Sequence, residues 1–427
     1  MTDFTHEPAA SSWVIGADGH SEFPVQNLPL GVFSPAPGGK RIGTAIGESI
    51  LDLEAAAEVL GLPDHLREAL GHPTLNRLFG LPATDRRSLR HALFAALTDP
   101  AWQDRLSPAL YAARDCEMHL PLAVRDFTDF YAGIHHARAV GALMRPENPL
   151  LPNYKHVPVG YHGRASSVRV SGHEIRRPHG QIKGPDATAP AVSPTRRLDY
   201  EVELGFWISG ASELGEPVPI ATAGQHIAGI CLLNDWSARD IQSWEYVPLG
   251  PFLAKNFATT VSPWVVTMEA LEPFRLAQTP RPEGDPAPLP YLTDPSDQQQ
   301  GALSIWIEVS LRTRAMREAG VAPFVLGETS AANLYWTPAQ MVAHHTVNGC
   351  DLAAGDLLGT GTISGPDDTS RGSLMERSQG GSRPIALPNG ETRTFLEDGD
   401  EVMLSGWADA DGYRRIGLGR CIATIAL

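Results

Sequence analysis

Glu201 and Glu203 flank a single valine in the stretch LDYEVELGFWI, with Asp199 just before them. The three acids alternate with Tyr200, Val202 and Leu204, which is strand periodicity. It places the acids on one face and the apolar residues on the other. Two carboxylates on one strand face lie roughly 6–7 Å apart, so their oxygens can converge on one cation and would repel without it. Taken alone, the pair also reads as a solvated acidic strand face. Asp235 in CLLNDWSARD and Asp129 in FTDFY are acids among apolar and aromatic neighbours. Such acids are seldom buried without a partner. Four carboxylates with no Cys or imidazole pattern suit a hard cation, Ca²⁺ or Mg²⁺, over Zn²⁺.

His136 stands soon after Asp129 and is the candidate general base, because imidazole is matched to proton abstraction near neutral pH. His135 competes for the role. Successive helix residues point about 100° apart, so only one of the two can face the site. Arg239, Gln242 and Lys255 are three donors on one segment, the set a developing alkoxide needs. Tyr131 and Tyr246 flank the acids and donors. Arg145, Tyr161 and Arg164 could grip a substrate carboxylate, or be surface ion pairs. Thr362 offers a hydroxyl on the Gly-rich turn GTGTISGP, where backbone amides can approach a ligand closely. Glu376 in SLMERS could orient the base histidine. His344 and His345 read as structural.

The elements that must carry these groups are mostly short strands. Gly (41) and Pro (36) punctuate a 427-residue chain that is 42% hydrophobic and 19% charged, a globular composition with many turns. Residues 23–53 have hairpin chemistry, and LEAAAEVLGL and SLRHALFAALTD have helical spacing. This part, residues 1–120, reads as a small structural or dimer-forming domain with strands first and helices after. Residues 121–427 read as a larger β-rich domain. In it, Asp129 and Tyr131 close a strand, Ile134 to Met144 forms a helix, and the run from Pro273 to Pro290 is a surface loop. No internal repeat is present. Rossmann, P-loop, G-x-S-x-G and H-E-x-x-H signatures are missing.

The formal net charge of −15 argues against nucleic acid and anionic membrane as partners. The four cysteines, Cys116, Cys231, Cys350 and Cys421, form no C-x-x-C pair, which excludes a zinc ribbon and disfavours a disulfide scaffold. The start lacks an apolar h-region and no run approaches the ~18 apolar residues of a membrane span. The expected place is the cytoplasm.

The phrases RIGTAIGESILDL, TDFYAGIHHARAVG, LLPNYKHVPVGYHGRASSV, LDYEVELGF, NDWSARDIQSWEYVPLGPFLAKNF and HHTVNGCDLAAGDLLGTGTISGP resemble the fumarylacetoacetate hydrolase family. The likeness runs from about residue 27 to the C-terminus. It implies a mainly β (α+β) fold: an N-terminal SH3-like barrel and a C-terminal mixed β-sandwich roll, assembled as a homodimer. It implies metal ligands at Asp129, Glu201, Glu203 and Asp235, with a second cation region at Asp235, Lys255 and Thr259. The base would be His136, oriented by Glu376. Oxyanion donors would be Arg239, Gln242 and Lys255, and substrate contacts Tyr131, Arg145, Tyr161, Gln242, Tyr246 and Thr362. The implied reaction is metal-assisted hydrolysis of a carbon–carbon bond in a diketo dicarboxylic acid, giving fumarate and acetoacetate. Alternatives are a related acylpyruvate or β-keto acid hydrolase or decarboxylase, and a non-catalytic metal- or carboxylate-binding protein. Two positions depart from the family's habit: His135, commonly Gln there, and Ala258, commonly Gly.

Overall fold

The computed structural model describes residues 2–427. Short strands dominate, as the Gly and Pro punctuation requires, and they build one 13-stranded mixed sheet and one five-stranded sheet, with several two-stranded ribbons. The large sheet runs through Leu110–Ala112, Ser49–Asp52, Arg41–Ile46, Leu30–Pro35, Trp264–Thr267, Ile227–Asp235, Val202–Ile208, Leu357–Gly359, Phe127–Phe130 and Gly160–His162. The five-stranded sheet holds Ile305–Arg312, Glu401–Ala408 and Ile416–Ile425 at its centre. No helix among the described residues is long and apolar enough to cross a membrane.

The N-terminal strands do not close on themselves. Leu30–Pro35 pairs with Arg41–Ile46 and Cys116–His119 and also with Trp264–Thr267 through Leu30↔Val265. The first strands are therefore the end of the large sheet. One apolar core spans both parts, with Val32, Ile42, Leu93 and Phe94 packed in the same cluster as Trp207, Leu233 and Val265. The helix Ala83–Thr98 covers this end and buries Leu89, Leu93, Phe94 and Leu97. A second core lies between the large and the five-stranded sheets, around Leu204, Phe206, Leu232, Ile307 and Leu404.

The strand around Glu203 departs from the alternation its sequence suggests. Val202–Ile208 is buried at every position, because it lies in the middle of the sheet with a core on each face. Regular strand structure is also interrupted at residues 200–201, between Leu198–Asp199 and Val202–Ile208. Asp199 thus belongs to a different strand from Glu203, although it and Glu201 still reach one guanidinium, that of Arg239. Asp199 pairs across to Ser237 on a separate ribbon, while Val202 pairs with Asn234. The Ile134–Met144 helix has the expected bounds. It starts after Gly133, and Pro146 follows directly on its cap residue Arg145, where a proline disfavours helical backbone. Most of the Pro-rich run from Pro273 to Pro290 lies outside regular strands and helices, on the surface.

Candidate functional site

Three acids reach one point from neighbouring strands. Asp129 lies on Phe127–Phe130, Glu203 on Val202–Ile208, and Asp235 ends Ile227–Asp235. Their oxygens lie within 4.8 Å of one another, and all three residues are buried. Strand spacing of about 4.8 Å brings such groups together once register is set. Leu357–Gly359 runs between the strands of Glu203 and Asp129, with Gly359 opposite both Asp129 and Gly205. A Cβ at Gly359 would stand 2.5 Å from Asp129 Oδ1 and 3.0 Å from Glu203 Oε2, so the acids need glycine there. Beyond it, the Gly361 amide donates to Asp129 Oδ1 and Glu203 Oε2, both at 3.1 Å. Gly361 has φ +73, which glycine adopts freely.

The electrostatics of this cluster leave a positive charge wanting. Burial, and then the charge of Asp235, hold the Asp129 carboxyl well above the usual range. Burial and Asp129 do the same to Glu203. Glu203 Oε1 is buried with no hydrogen-bond partner. Oxygen-only ligands, repelling each other in a dry site, fit a hard divalent cation.

Glu201 lies beside this trio and faces the cations. It accepts from Arg239 Nη1 at 2.7 Å and from Lys255 Nζ. Burial raises its carboxyl, but Lys255 and Arg239 outweigh that and hold it well below the usual range. Lys255 Nζ also donates to Asp235 Oδ2 at 2.6 Å. Burial works against its charge, yet Asp235 and Glu201 keep the ammonium strongly protonated. Thr259 Oγ1 donates to Asp235 Oδ1 at 3.2 Å, and Tyr161 OH to Asp235 Oδ2 at 2.9 Å. Tyr161, Asp235, Lys255 and Thr259 also line a cavity of about 160 Å³, together with Phe252 and Arg164.

His136 sits on the Ile134–Met144 helix at 2% exposure. Its Nδ1 bonds Glu376 Oε2 at 2.7 Å, and its Nε2 lies 3.8 Å from Glu201 Oε1. The carboxylate at Nδ1 sets the tautomer that leaves Nε2 free to accept a proton. Ser364 and Ser373 donate to the same Glu376 oxygen at 3.0 and 2.8 Å. Burial raises Glu376, while His136 and these bonds bring it below its ordinary value. The ring of Tyr131 stands edge-on to His136, with centroids 5.6 Å apart. His135 is half-buried and its ring makes no hydrogen bond, whereas His136 meets Glu376.

The remaining candidates are placed less uniformly. Arg239 uses Nε on Asp199 and Nη1 on Glu201 and Gln242, and its Nη2 is buried without a partner. Arg145 touches only the Pro149 carbonyl, at 3.4 Å, and its buried Nε is unpartnered. Thr362 is buried on the Gly-rich turn and packs against Gly133 and Gly372. Tyr246 caps the Arg239–Glu245 helix, half-buried, with no side-chain hydrogen bond. Arg164 is exposed and bonds Ser166. His344 and His345 bond Tyr291 and Thr128, which are structural contacts. Sequence reasoning did not find Ser364 and Ser373. Ser373 carried a weak signal, since it precedes Glu376 at capping-box spacing.

Comparison with known proteins places the chain in a family. Residues 126–426 match the family described as fumarylacetoacetate (FAA) hydrolase C-terminal, and residues 26–121 match fumarylacetoacetase N-terminal. The chain is 46% identical over 419 residues to the fumarylacetoacetase of Homo sapiens, covering 95% of this chain and 96% of that one. It is 47% identical over 415 residues to that of Caenorhabditis elegans, covering 94% and 96%. The crystal structure of Cg1458 with inhibitor aligns over 93% of this chain and 99% of that one, at a TM-score of 0.51 and 12% identity, a likeness of fold alone. With both domain matches in sequence order and near half of all residues identical to these relatives, the chain belongs to the fumarylacetoacetate hydrolase family.

Proposed function

We propose that this chain hydrolyses the carbon–carbon bond of fumarylacetoacetate to fumarate and acetoacetate, a step of tyrosine and phenylalanine degradation. The observation that carries the chemistry is the His136–Glu376 dyad, whose free Nε2 faces Glu201 and the carboxylate cluster. The relatives' shared name supports the choice of substrate.

Asp129, Glu201, Glu203 and Asp235 would hold a Ca²⁺ or Mg²⁺ ion, with Lys255 and Thr259 beside Asp235. Such an ion supplies Lewis-acid polarisation of the diketone oxygens. His136 takes a proton from water at Nε2, and the hydroxide adds to the carbonyl carbon. Glu376 holds the imidazolium that forms. Arg239 Nη2, Gln242 and Lys255 receive the alkoxide charge, in a dry site where such donors count for more than in water. The carbon–carbon bond then breaks, and the proton on His136 passes to the departing carbanion. Arg145, Tyr161, Tyr131, Tyr246 and Thr362 bind and orient the substrate and its carboxylates. These cations and donors reconcile an anionic substrate with a chain of net charge −15. The working form is a cytoplasmic homodimer, with a division near residue 120 that is supported by where the two family matches meet.

The test is the absorbance of fumarylacetoacetate with purified protein, before and after EDTA, then with Ca²⁺ or Mg²⁺ restored. Turnover should vanish with the chelator and return with the ion. His136→Ala should lower kcat by ~10²–10⁴-fold while the fold is kept. A wild type inactive in every metal state would sink the proposal, as would a His136→Ala variant of undiminished rate.

A further inference from the structure

Asp199 is fully buried and belongs to neither the carboxylate trio nor the base dyad. It nonetheless touches both halves of the site. Oδ2 accepts from Arg239 Nε at 2.9 Å and from the Met375 amide at 3.0 Å. Oδ1 accepts from the Leu374 amide at 2.8 Å and from the Tyr200 amide at 2.9 Å. All four partners are N–H donors, so both oxygens of Asp199 serve as acceptors, two donors to each. Asp199 lies on the short strand Leu198–Asp199, separate from the Val202–Ile208 strand of Glu203.

We infer that Asp199 is a positioning residue that holds Arg239 and the Glu376 helix in fixed relation to each other. This rests on the function proposed above. Asp199 takes one edge of the Arg239 guanidinium and Glu201 takes another, which leaves Nη2 as the edge presented to the substrate. Leu374 and Met375 begin the short helix Leu374–Arg377 that carries Glu376 and, through it, His136. One buried carboxylate thereby ties the oxyanion donor to the orienting acid of the base, from segments far apart in the chain. Asparagine has the same shape but only one acceptor oxygen. Its amide would meet either the Arg239 and Met375 donors or the Leu374 and Tyr200 donors, and one pair must let go.

The test uses Asp199→Asn in the metal-loaded enzyme with the diketo acid as substrate. Mispositioning of one oxyanion donor predicts a kcat loss on the order of 10²-fold with KM within about threefold. In an Arg239→Ala background the same substitution should cost less than it does in the wild type, because one of the two groups it positions is gone. Hydrogen exchange at the Leu374 and Met375 amides should quicken at least about tenfold, without change in distant strands. Three results would each overturn the inference: unchanged kcat in a folded Asp199→Asn, a full-sized loss in the Arg239→Ala background, or unchanged exchange at Leu374 and Met375. If Asp199→Asn does not fold, Arg239→Lys carries the test, since a lysine keeps the charge but cannot span Asp199 and Glu201 together. Quickened exchange at Leu374 and Met375 in Arg239→Lys then supports the clamp, since a kcat loss alone would follow from losing the donor, and wild-type exchange overturns it. A wild type that does not turn over the diketo acid would sink the functional reading, and exchange at Leu374 and Met375 would still decide the clamp.

Discussion

Glu203 has the most to gain from a cation. It is fully buried, its Oε1 has no partner, and its neighbours Asp129 and Asp235 are also acids. A divalent ion should therefore raise the unfolding free energy of the chelated protein, by about 2.7 kcal/mol at a hundredfold excess over Kd. Glu203→Gln should abolish most of that gain in a thermal-shift titration, and a variant stabilised like the wild type would contradict the ligand set. The pH dependence follows with a definite sign. Burial lifts the folded-state values of Asp129 and Glu203, whereas in the unfolded chain such groups ionise near ~4. Above about pH 5 the unfolded state has released protons that the folded state still holds, so stability falls as pH rises. Glu201 and Glu376, held low, are ionised in both states in this window and contribute no slope there. The midpoint of the chelated protein should thus fall further below that of the cation-loaded protein as pH rises from about 5 to neutrality. This comes on top of the opposite slope that histidines held low by burial, such as His6, His344 and His345, add to both forms. A gap between the two midpoints that fails to widen over this range would refute the account.

At the scale of elements, the site depends on how closely the Ile134–Met144 helix meets the 360–364 turn. A Cβ on Gly133 would stand 2.2 Å from the Thr362 carbonyl oxygen. Gly133→Ala must therefore push the helix start from the turn, and His136 is carried with it. Overpacking of this kind costs about 1–3 kcal/mol. The expected result is a lowered unfolding midpoint together with a kcat loss exceeding what the stability change alone produces in the folded fraction. Kinetics and calorimetry on the same preparation check it, and wild-type kcat would show that the contact has slack. This helix was legible in the sequence, since its periodicity and the following Pro146 mark it out. The strand of Glu203 was legible as a strand. Its burial on both faces was not, because alternation of acids and apolar residues describes a half-solvated strand equally well.

At the scale of the molecule, the N-terminal part and the rest share a sheet and a core. Leu30 pairs with Val265, and Leu93 and Leu233 belong to one apolar cluster. Cutting at residue 120 would expose one edge of the large sheet and the residues, Trp207, Leu233 and Val265 among them, that the later part contributes to that core. Calorimetry of the full chain should give one cooperative transition, and a 121–427 fragment should not accumulate as a folded monomer. Two well-separated transitions would mean that the parts are energetically independent.

The sequence by itself determined which groups are available: four acids for a hard cation, a histidine on a helix, and donors clustered around Arg239. Composition and turn residues also determined the mainly β character, because these are local properties of the chain. The tertiary structure decided how the groups divide. Register across four strands brings Asp129, Glu203 and Asp235 to one point, turns Glu201 toward Lys255 and Arg239, and sends Asp199 to the Glu376 helix. Alternation within one strand cannot tell such acids apart, since their partners come from segments remote in sequence and are chosen by strand pairing and packing. The different settings of His136 and His135 have the same origin: Glu376, distant along the chain, hydrogen-bonds only one of them.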